Sequence, residues 1–152
     1  MIEYQKATFS DDVVKQLINL SYIWAEEDIT NGLVPNNKDD LKEPCYIALD
    51  NSKIVGYIFG HFYNNEKKIS IPQGEIPIGE RCFDIDELYV LKQYRNQGIG
   101  KNLYLLLEKE VKDEVKFITL GTSTKDYHKI FHFYIEEVDM SFHSAFIYKK
   151  ID

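Results

Sequence analysis

Residues 88–101, LYVLKQYRNQGIGK, have the pattern of a strand, a tight turn and the start of a helix. Within them, Arg95, Gly98 and Gly100 have the spacing R-x-x-G-x-G. Glycine lets the backbone approach a ligand closely because it has no Cβ. The first amides of a helix have no partner inside the helix, and they lie at the positive end of its dipole. The stretch therefore predicts an anion cradle suited to a pyrophosphate.

Two other glycine motifs do not fit these residues. A dinucleotide-binding fingerprint, G-x-G-x-x-G, would need glycine at the position of Leu103. A P-loop would need glycine in place of Arg95 and serine or threonine in place of Asn102. A helix start that holds glycines but no ligand remains the alternative. The preceding strand, together with the basic Arg95 and Lys101, favours the anion site.

Hydrophobic periodicity predicts the elements on both sides of this turn. Before it we expect a strand over 2–8, a helix from an N-cap at Ser10 to about Ala25, a short helix before Pro44, hairpin strands over 45–49 and 53–63, a long loop over 64–80 and a strand over 81–91. After it we expect a helix over 98–112, a strand over 115–120, a helix over 125–137 and a strand over 141–149. A strand–helix–strand crossover normally joins parallel strands, whereas hairpins are antiparallel. The order predicts an α/β fold with a mixed sheet and helices on both faces.

The composition fits one globular domain over residues 1–152, since 44% of the residues are hydrophobic and 14% are aromatic. The two cysteines form no disulfide framework and fit a reducing cytoplasm. Charges come too early in the sequence for a signal peptide, and no apolar run is long enough to cross a bilayer. We therefore expect a cytoplasmic protein without a membrane partner.

The net charge of −7 narrows the partners further. The lysines are scattered and form no basic stripe with interleaved aromatic residues, so no nucleic-acid partner is expected. An acidic surface suits a cationic small substrate, although many proteins are acidic for solubility alone. The charge leaves both interpretations open.

The segment IDELYVLKQYRNQGIGKNLYLLLE, residues 85–108, resembles the acetyl-CoA-binding motif of the GNAT superfamily of N-acetyltransferases. The predicted element order resembles the whole GNAT fold, so the likeness covers nearly the entire chain. The resemblance implies that free backbone groups of Leu88, Tyr89 and Val90 bind the pantetheine arm of acetyl-CoA. It also implies direct transfer without a metal, pairing of sheet edges in a homodimer, and a pyrophosphate on the backbone amides of Arg95, Asn96, Gln97, Gly98, Ile99, Gly100 and Lys101.

Three carboxylates precede the turn, and acetyl transfer to an amine needs a group that removes a proton from the ammonium. In a regular strand Asp84 and Asp86 share one face and Glu87 takes the other. The GNAT resemblance adds that this strand often carries a bulge, which would change that alternation. We favour Asp86 as amine-binding group and base, directly or through water, with Glu87 second. The alternative for each acid is a solvated strand residue.

The candidate acid is Tyr134, because residues 130–142, IFHFYIEEVDMSF, are similar to the GNAT pattern F-Y-x-x-x-G-F/M. The resemblance implies that this tyrosine protonates the departing CoA sulfur. The segment departs from the pattern at two places. The usual glycine is replaced near Val138 and Asp139, with one extra residue, and a common asparagine seven residues earlier is Tyr127. The alternative for Tyr134 is a core aromatic residue.

The acceptor is expected to be a small-molecule amine bound near Trp24, Glu27, Asp28 and Asp86, because an aromatic ring among carboxylates suits a polycation. This region and the C-terminal segment resemble aminoglycoside 6'-N-acetyltransferases; a solvated acidic face is the alternative. Two other functions stay open: a protein or peptide N-acetyltransferase, and a non-catalytic acyl-CoA-binding domain. His128 and His132 have a zinc-binding spacing but no evident third ligand, so no metal is expected.

Overall fold

The computed structural model describes residues 1–151. Its strands are β1 (Ile2–Lys6), β2 (Cys45–Asp50), β3 (Lys53–Asn64), β4 (Ile69–Ile71), β5 (Gly74–Ile76), β6 (Arg81–Val90) and β7 (Phe117–Thr119). Its α-helices are α1 (Asp11–Glu26), α2 (Ile99–Val111) and α3 (Tyr127–Phe131). Short 3-10 turns cover Lys38–Asp40 and Lys92–Tyr94, and a π-helical turn covers His132–Glu137.

Five strands form the central sheet in the order β1-β2-β3-β6-β7. The first three junctions are antiparallel, and β6 pairs with β7 in parallel across the α2 crossover. Trp24 of α1 stacks on Tyr89 on one face, whereas Leu103 of α2 lies against Gly56 on the other. The mixed sheet with helices on both faces is therefore confirmed.

The start of α1 shows how the sequence sets an element boundary. Ser10 has an extended backbone, and its hydroxyl accepts a hydrogen bond from the amide of Val13, as a helix N-cap does. Asp11 and Asp12 lie in the first turn, where the helix dipole favours negative charge. Leu17 and Leu20 are buried against the sheet, so the predicted apolar stripe faces the core.

Two loop predictions need correction. The second helix expected before Pro44 is only the 3-10 turn Lys38–Asp40, which is closed by a capping box between Asn37 and Asp40. The predicted loop over 64–80 contains the small β4–β5 hairpin. Buried Asn65 supports this hairpin, because its side-chain amide donates to the carbonyls of Ile76 and Pro77 at 3.2 and 3.0 Å.

The C-terminal predictions fail more widely. The helix expected over 125–137 begins at Tyr127 and changes to a π-helical turn, in which the amide of Val138 reaches the carbonyl of Phe133 at 3.2 Å. The strand expected over 141–149 does not form. Phe146 and Tyr148 are 91% and 82% exposed, so nothing in residues 1–151 covers their apolar surface. An alternating pattern makes a strand only when a neighbouring strand accepts its hydrogen bonds.

A bulge interrupts β6 where it pairs with β3. Phe59 lies opposite Glu87 and Gly60 lies opposite Ile85, so Asp86 is the extra residue with no partner on β3. The strands approach closely beside it, because a Cβ on Gly60 would lie 2.0 Å from the carbonyl oxygen of Asp84. Gly60 is therefore needed for this geometry.

Within residues 1–151, no helix combines the length and the apolar character that a membrane span requires.

Candidate active site

The β6 strand is paired on one side over its whole length but on the other side over only its first half. It pairs with β7 only through Cys82, Phe83 and Asp84. From Ile85 to Val90 no described strand lies on the β7 side. Backbone polar groups need partners, so this open side is suited to an extended ligand that offers amides and carbonyls. The expected pantetheine-binding residues Leu88, Tyr89 and Val90 all belong to this open stretch, and their role stays a prediction.

The turn after β6 leads directly into α2. Asn96 and Gly98 have positive φ angles of 60° and 77°, and α2 begins at Ile99 without a side-chain cap. The first amides of α2 therefore have no side chain to accept from them. A Cβ on Gly98 would meet nothing within 4 Å, so the space beside the turn is open. This geometry could hold an anion of pyrophosphate size.

Arg95 points inward rather than into that space. Its Nε donates to the carbonyl of Val90 at 2.8 Å, and its guanidinium lies 2.8 Å from the carboxylate of Glu27. The Tyr89 hydroxyl donates to the same carboxylate. Arg95 thus ties the turn to the end of α1, while Lys92 and Lys101 make no ion pair with any described residue. These two lysines remain to neutralise a bound anion.

A cleft of about 990 Å³ lies beside the open half of β6. Its walls are that half-strand, the turn, the segment 120–124 after β7 and the α3 region. The cleft collects the candidate catalytic residues Asp86, Glu87 and Tyr134, which lie far apart in sequence. Its size is in the range of small-molecule and cofactor sites.

The bulge brings the three carboxylates to one face of the sheet. Tyr57 and His61 lie four residues apart on β3 and therefore share a face. Glu87 contacts Tyr57, whereas Asp86 contacts His61 and Asp84 lies opposite His61. The alternation expected for a regular strand, with Glu87 on the other face, is thus wrong, because the extra residue shifts the phase.

Glu87 is the more enclosed of the two neighbouring acids. Its carboxylate accepts hydrogen bonds from the Tyr57 hydroxyl at 2.7 Å and the Asn36 amide at 2.9 Å. Burial raises the pKa of Glu87, and these two hydrogen bonds oppose the rise. A carboxyl held in this way is fixed in orientation and can exist in the protonated form more readily than a solvated one.

Asp86 has charged partners instead. Its carboxylate lies 3.0 Å from the Lys42 ammonium and 2.9 Å from Nδ1 of His61. The side chain is 22% exposed. The position that Lys42 occupies shows that this carboxylate can bind an ammonium group, as an amine-binding residue must.

His61, Asp84 and Asp86 also have the ligand types of a metal site, with ligand atoms within 4.8 Å of one another. Two contacts argue against metal binding by these residues. The Lys42 ammonium already balances Asp86, and the Thr119 hydroxyl donates to Asp84 at 2.5 Å. The sequence pointed to no such cluster because its members come from two strands.

Tyr134 lies on the π-helical turn and lines the cleft. Its ring packs edge-on against Phe133, and its hydroxyl makes no hydrogen bond to any residue in 1–151. Burial raises the pKa of Tyr134, with a smaller contribution from Tyr104. The phenol therefore keeps its proton at neutral pH and has it free to donate into the cleft.

The expected acceptor residues have different surroundings. Trp24 and Glu27 line the cleft, but Glu27 is only 15% exposed and is held by Arg95. Asp28 lies outside the cleft lining, 82% exposed, and pairs with Lys125 at 2.6 Å. Asp86 is thus the acid of this set with the best access to a bound amine.

Comparisons with known proteins agree with this geometry. The sequence model described as the acetyltransferase (GNAT) family matches residues 12–137. No curated protein matches the chain in sequence.

Several solved structures share the fold. An aminoglycoside acetyltransferase from an uncultured soil metagenomic sample, in complex with trehalose, is 16% identical with a TM-score of 0.63, over 99% of this chain and 97% of the other. A ribosomal-protein-alanine N-acetyltransferase from Brucella melitensis is 15% identical with a TM-score of 0.61, over 100% of both chains. A predicted acetyltransferase from Clostridium acetobutylicum with acetyl-CoA is 17% identical with a TM-score of 0.64, over 100% of this chain and 96% of the other. The matched residues, the open β6 strand and the uncapped start of α2 lead to one conclusion: the chain belongs to the GNAT family of acetyltransferases.

Proposed function

We propose that the protein transfers the acetyl group of acetyl-CoA to a primary amine of a cationic small molecule, within a ternary complex. The observation that carries this proposal is the open half of β6, which runs from the acids into the uncapped start of α2. One continuous surface can then hold an extended thioester cofactor and place its reactive end near the carboxylates.

The residues proposed to hold acetyl-CoA follow the order of its parts. Backbone groups of Leu88, Tyr89 and Val90 would bind the pantetheine arm, although the Val90 carbonyl already accepts from Arg95. The amides of residues 95–101 would bind the pyrophosphate at the positive end of the α2 dipole. Bound acetyl-CoA supplies the activated acyl group, so the protein needs no covalent intermediate.

The proposed chemistry assigns one task to each side chain. The acceptor ammonium binds at Asp86, and its proton leaves toward that carboxylate, with Glu87 as the second candidate. Tyr134 donates a proton to the departing sulfur, which is a suitable task for a buried phenol. Holding amine and thioester in contact contributes much of the remaining acceleration.

A cationic acceptor is favoured by the charge of the site. Asp86 and Glu87 in the cleft wall and a net charge of −7 attract a polyamine or an aminoglycoside-like molecule. The aminoglycoside acetyltransferase among the structural neighbours supports the same choice. The neighbour that acts on a ribosomal protein keeps a protein or peptide acceptor as the second candidate.

The test is thiol release from acetyl-CoA with a panel of polyamines, aminoglycosides and N-terminal peptides. We expect turnover with at least one polycationic amine and a loss of about 10²-fold in Asp86→Asn. Turnover with peptides only would support the second candidate. Binding of CoA without acetylation of any amine would make the chain a non-catalytic acyl-CoA-binding domain.

A further inference from the structure

We propose that His61 is the group that takes the proton from the acceptor ammonium, and that Asp86 positions it. This inference rests on the proposed acetyl transfer, keeps Asp86 as the amine-binding group and moves the role of final proton acceptor from Asp86 to His61. His61 lies on β3 and reaches the bulged residue of β6 across the strand pair. Asp86 lines the cleft and His61 does not, so the His61 ring lies one side chain behind the amine-binding carboxylate and reaches the amine through water.

The hydrogen bonds define the tautomer of the ring. Nδ1 of His61 lies 3.0 and 2.9 Å from the two carboxylate oxygens of Asp86. An ionised carboxylate can only accept, so Nδ1 carries the hydrogen and donates it. The lone pair of the neutral ring is therefore on Nε2. A base held in one tautomer by a carboxylate is the arrangement that proton-abstracting histidines need.

Nε2 is available for that task. The described contacts of His61 all involve Nδ1 or the ring face, and 41% of the side chain is exposed. The charged and titratable groups that face the ring are Asp84 and Asp86 on β6, Lys42 before β2 and Tyr63 on β3.

Asp86 is less suited to be the final acceptor. Its two oxygens already accept hydrogen bonds from Nδ1 of His61 and from the ammonium of Lys42, and the acceptor ammonium would replace only the second of these. The Nε2 lone pair of His61 has no described partner, whereas both Asp86 oxygens already accept hydrogen bonds. Binding the ammonium and accepting its proton are then divided between the two residues.

The proton balance of the step is complete. One ammonium proton passes through water to Nε2 of His61 and later leaves to solvent. The amine nitrogen forms the new C–N bond as the C–S bond breaks, and Tyr134 protonates the sulfur. A second nitrogen proton restores Tyr134 through water. The net reaction gives amide, free thiol and one released proton.

The test compares His61→Gln with native protein, using acetyl-CoA and the best amine of the panel. We expect kcat to fall by about 10²–10⁴-fold with the KM for acetyl-CoA unchanged. In native protein kcat/KM should rise with pH, because only a ring with a free Nε2 lone pair can accept the ammonium proton, and this rise should disappear in the variant. Added imidazole should restore part of the activity of His61→Ala. His143→Gln, in the exposed C-terminal segment, is the matched control and should keep native activity.

The outcomes separate the two proposals. Native turnover together with His61→Gln activity within about threefold of native overturns the His61 role and leaves acetyl transfer standing. Absence of turnover in native protein with every amine overturns both. A rise with pH that persists unchanged in His61→Gln also contradicts the inference, whatever the size of the rate loss. Far-ultraviolet circular dichroism of each variant shows whether a lost rate reflects unfolding.

Discussion

The two halves of β6 belong to one strand and have opposite surroundings. Arg81–Asp84 includes the residues that β7 pairs, so its first half is held by strands on both sides. Ile85–Val90 is held by β3 alone and faces the cleft on the other side. The first half therefore contributes to stability, and the second half leaves its hydrogen-bonding capacity for a ligand. The bulge at Asp86 lies at the boundary between the half of β6 that is paired on both sides and the half that faces the cleft.

Two glycines show the same contrast. Gly60 faces the bulge, where an added Cβ would meet the Asp84 carbonyl at 2.0 Å. Gly98 lies at the start of α2, where an added Cβ would meet nothing but where φ is +77°. Gly60 is required by packing between strands, and Gly98 by a left-handed turn that exposes amides to the cleft. Substitution of Gly60 should therefore lower the stability of the fold, whereas substitution of Gly98 should weaken the binding of coenzyme A.

The largest effect is expected for Gly60→Ala. A backbone contact of 2.0 Å cannot be relieved by a rotamer change, so β3 and β6 must separate at the bulge. We expect a loss of at least about 3 kcal/mol in the free energy of unfolding, measured by urea denaturation. Gly121→Ala is the control, because nothing lies within 4 Å of the Cβ position, and it should change stability by less than about 0.5 kcal/mol. A native-like midpoint for Gly60→Ala would show that the strand approach is not rigid.

Tyr134→Phe tests whether a side chain of the cleft takes part in the reaction. Removing the hydroxyl should lower kcat by about 10²-fold and leave the affinity for CoA unchanged, since the ring remains. Because burial raises the pKa of Tyr134, the native rate should not fall at mildly alkaline pH through loss of this proton. The exposed Tyr127 provides the control Tyr127→Phe, which should turn over as native. Equal kcat in both variants would remove Tyr134 from the mechanism.

The smallest effect is expected for Glu87→Gln, and it concerns stability. Burial raises the pKa of Glu87 in the folded chain, so its ionisation opposes folding. This destabilisation is absent at low pH, where the carboxyl is protonated in the folded and the unfolded chain. It reaches its full size above the raised pKa of the folded chain. Glu87→Gln should therefore be more stable than native by up to about 1 kcal/mol at neutral pH, with the difference shrinking in mild acid. Glu136→Gln, at an exposed position, is the matched control, and a loss of stability in Glu87→Gln at neutral pH would contradict the burial argument.

From β1 to α2 the sequence predicted the main strands and helices, because local signals determine them, but it missed the β4–β5 hairpin and gave a helix where only a 3-10 turn forms. The N-cap at Ser10, the hairpin of β2 and β3, and the strand–turn–helix from β6 to α2 follow from periodicity and turn residues. The C-terminal strand was predicted from alternation alone, and alternation does not supply a hydrogen-bonding neighbour. The homodimer expected from the resemblance remains a prediction, and the exposed Phe146 and Tyr148 are residues to examine for it.

The candidate site was predictable only in part. Asp86, Glu87 and Tyr134 lie in recognisable segments, and all three line the cleft. The partners Lys42 and His61 were not predicted, because they reach Asp86 from other segments across 44 and 25 residues. Such contacts depend on strand register, and a single bulge changes which side chains meet.

The central claim is that the uncapped start of α2 binds the diphosphate of coenzyme A, and isothermal titration calorimetry tests it most directly. Native protein should bind acetyl-CoA or CoA with a Kd of about 10⁻⁶–10⁻³ M, the range in which enzyme KM values commonly lie. Gly98→Val should weaken binding at least about tenfold, since a left-handed β-branched residue costs roughly 1–2 kcal/mol and distorts the turn. Gly79→Val imposes a similar strain at φ +84° away from the cleft and should bind as native. No heat of binding from folded native protein with any coenzyme A species would contradict the account.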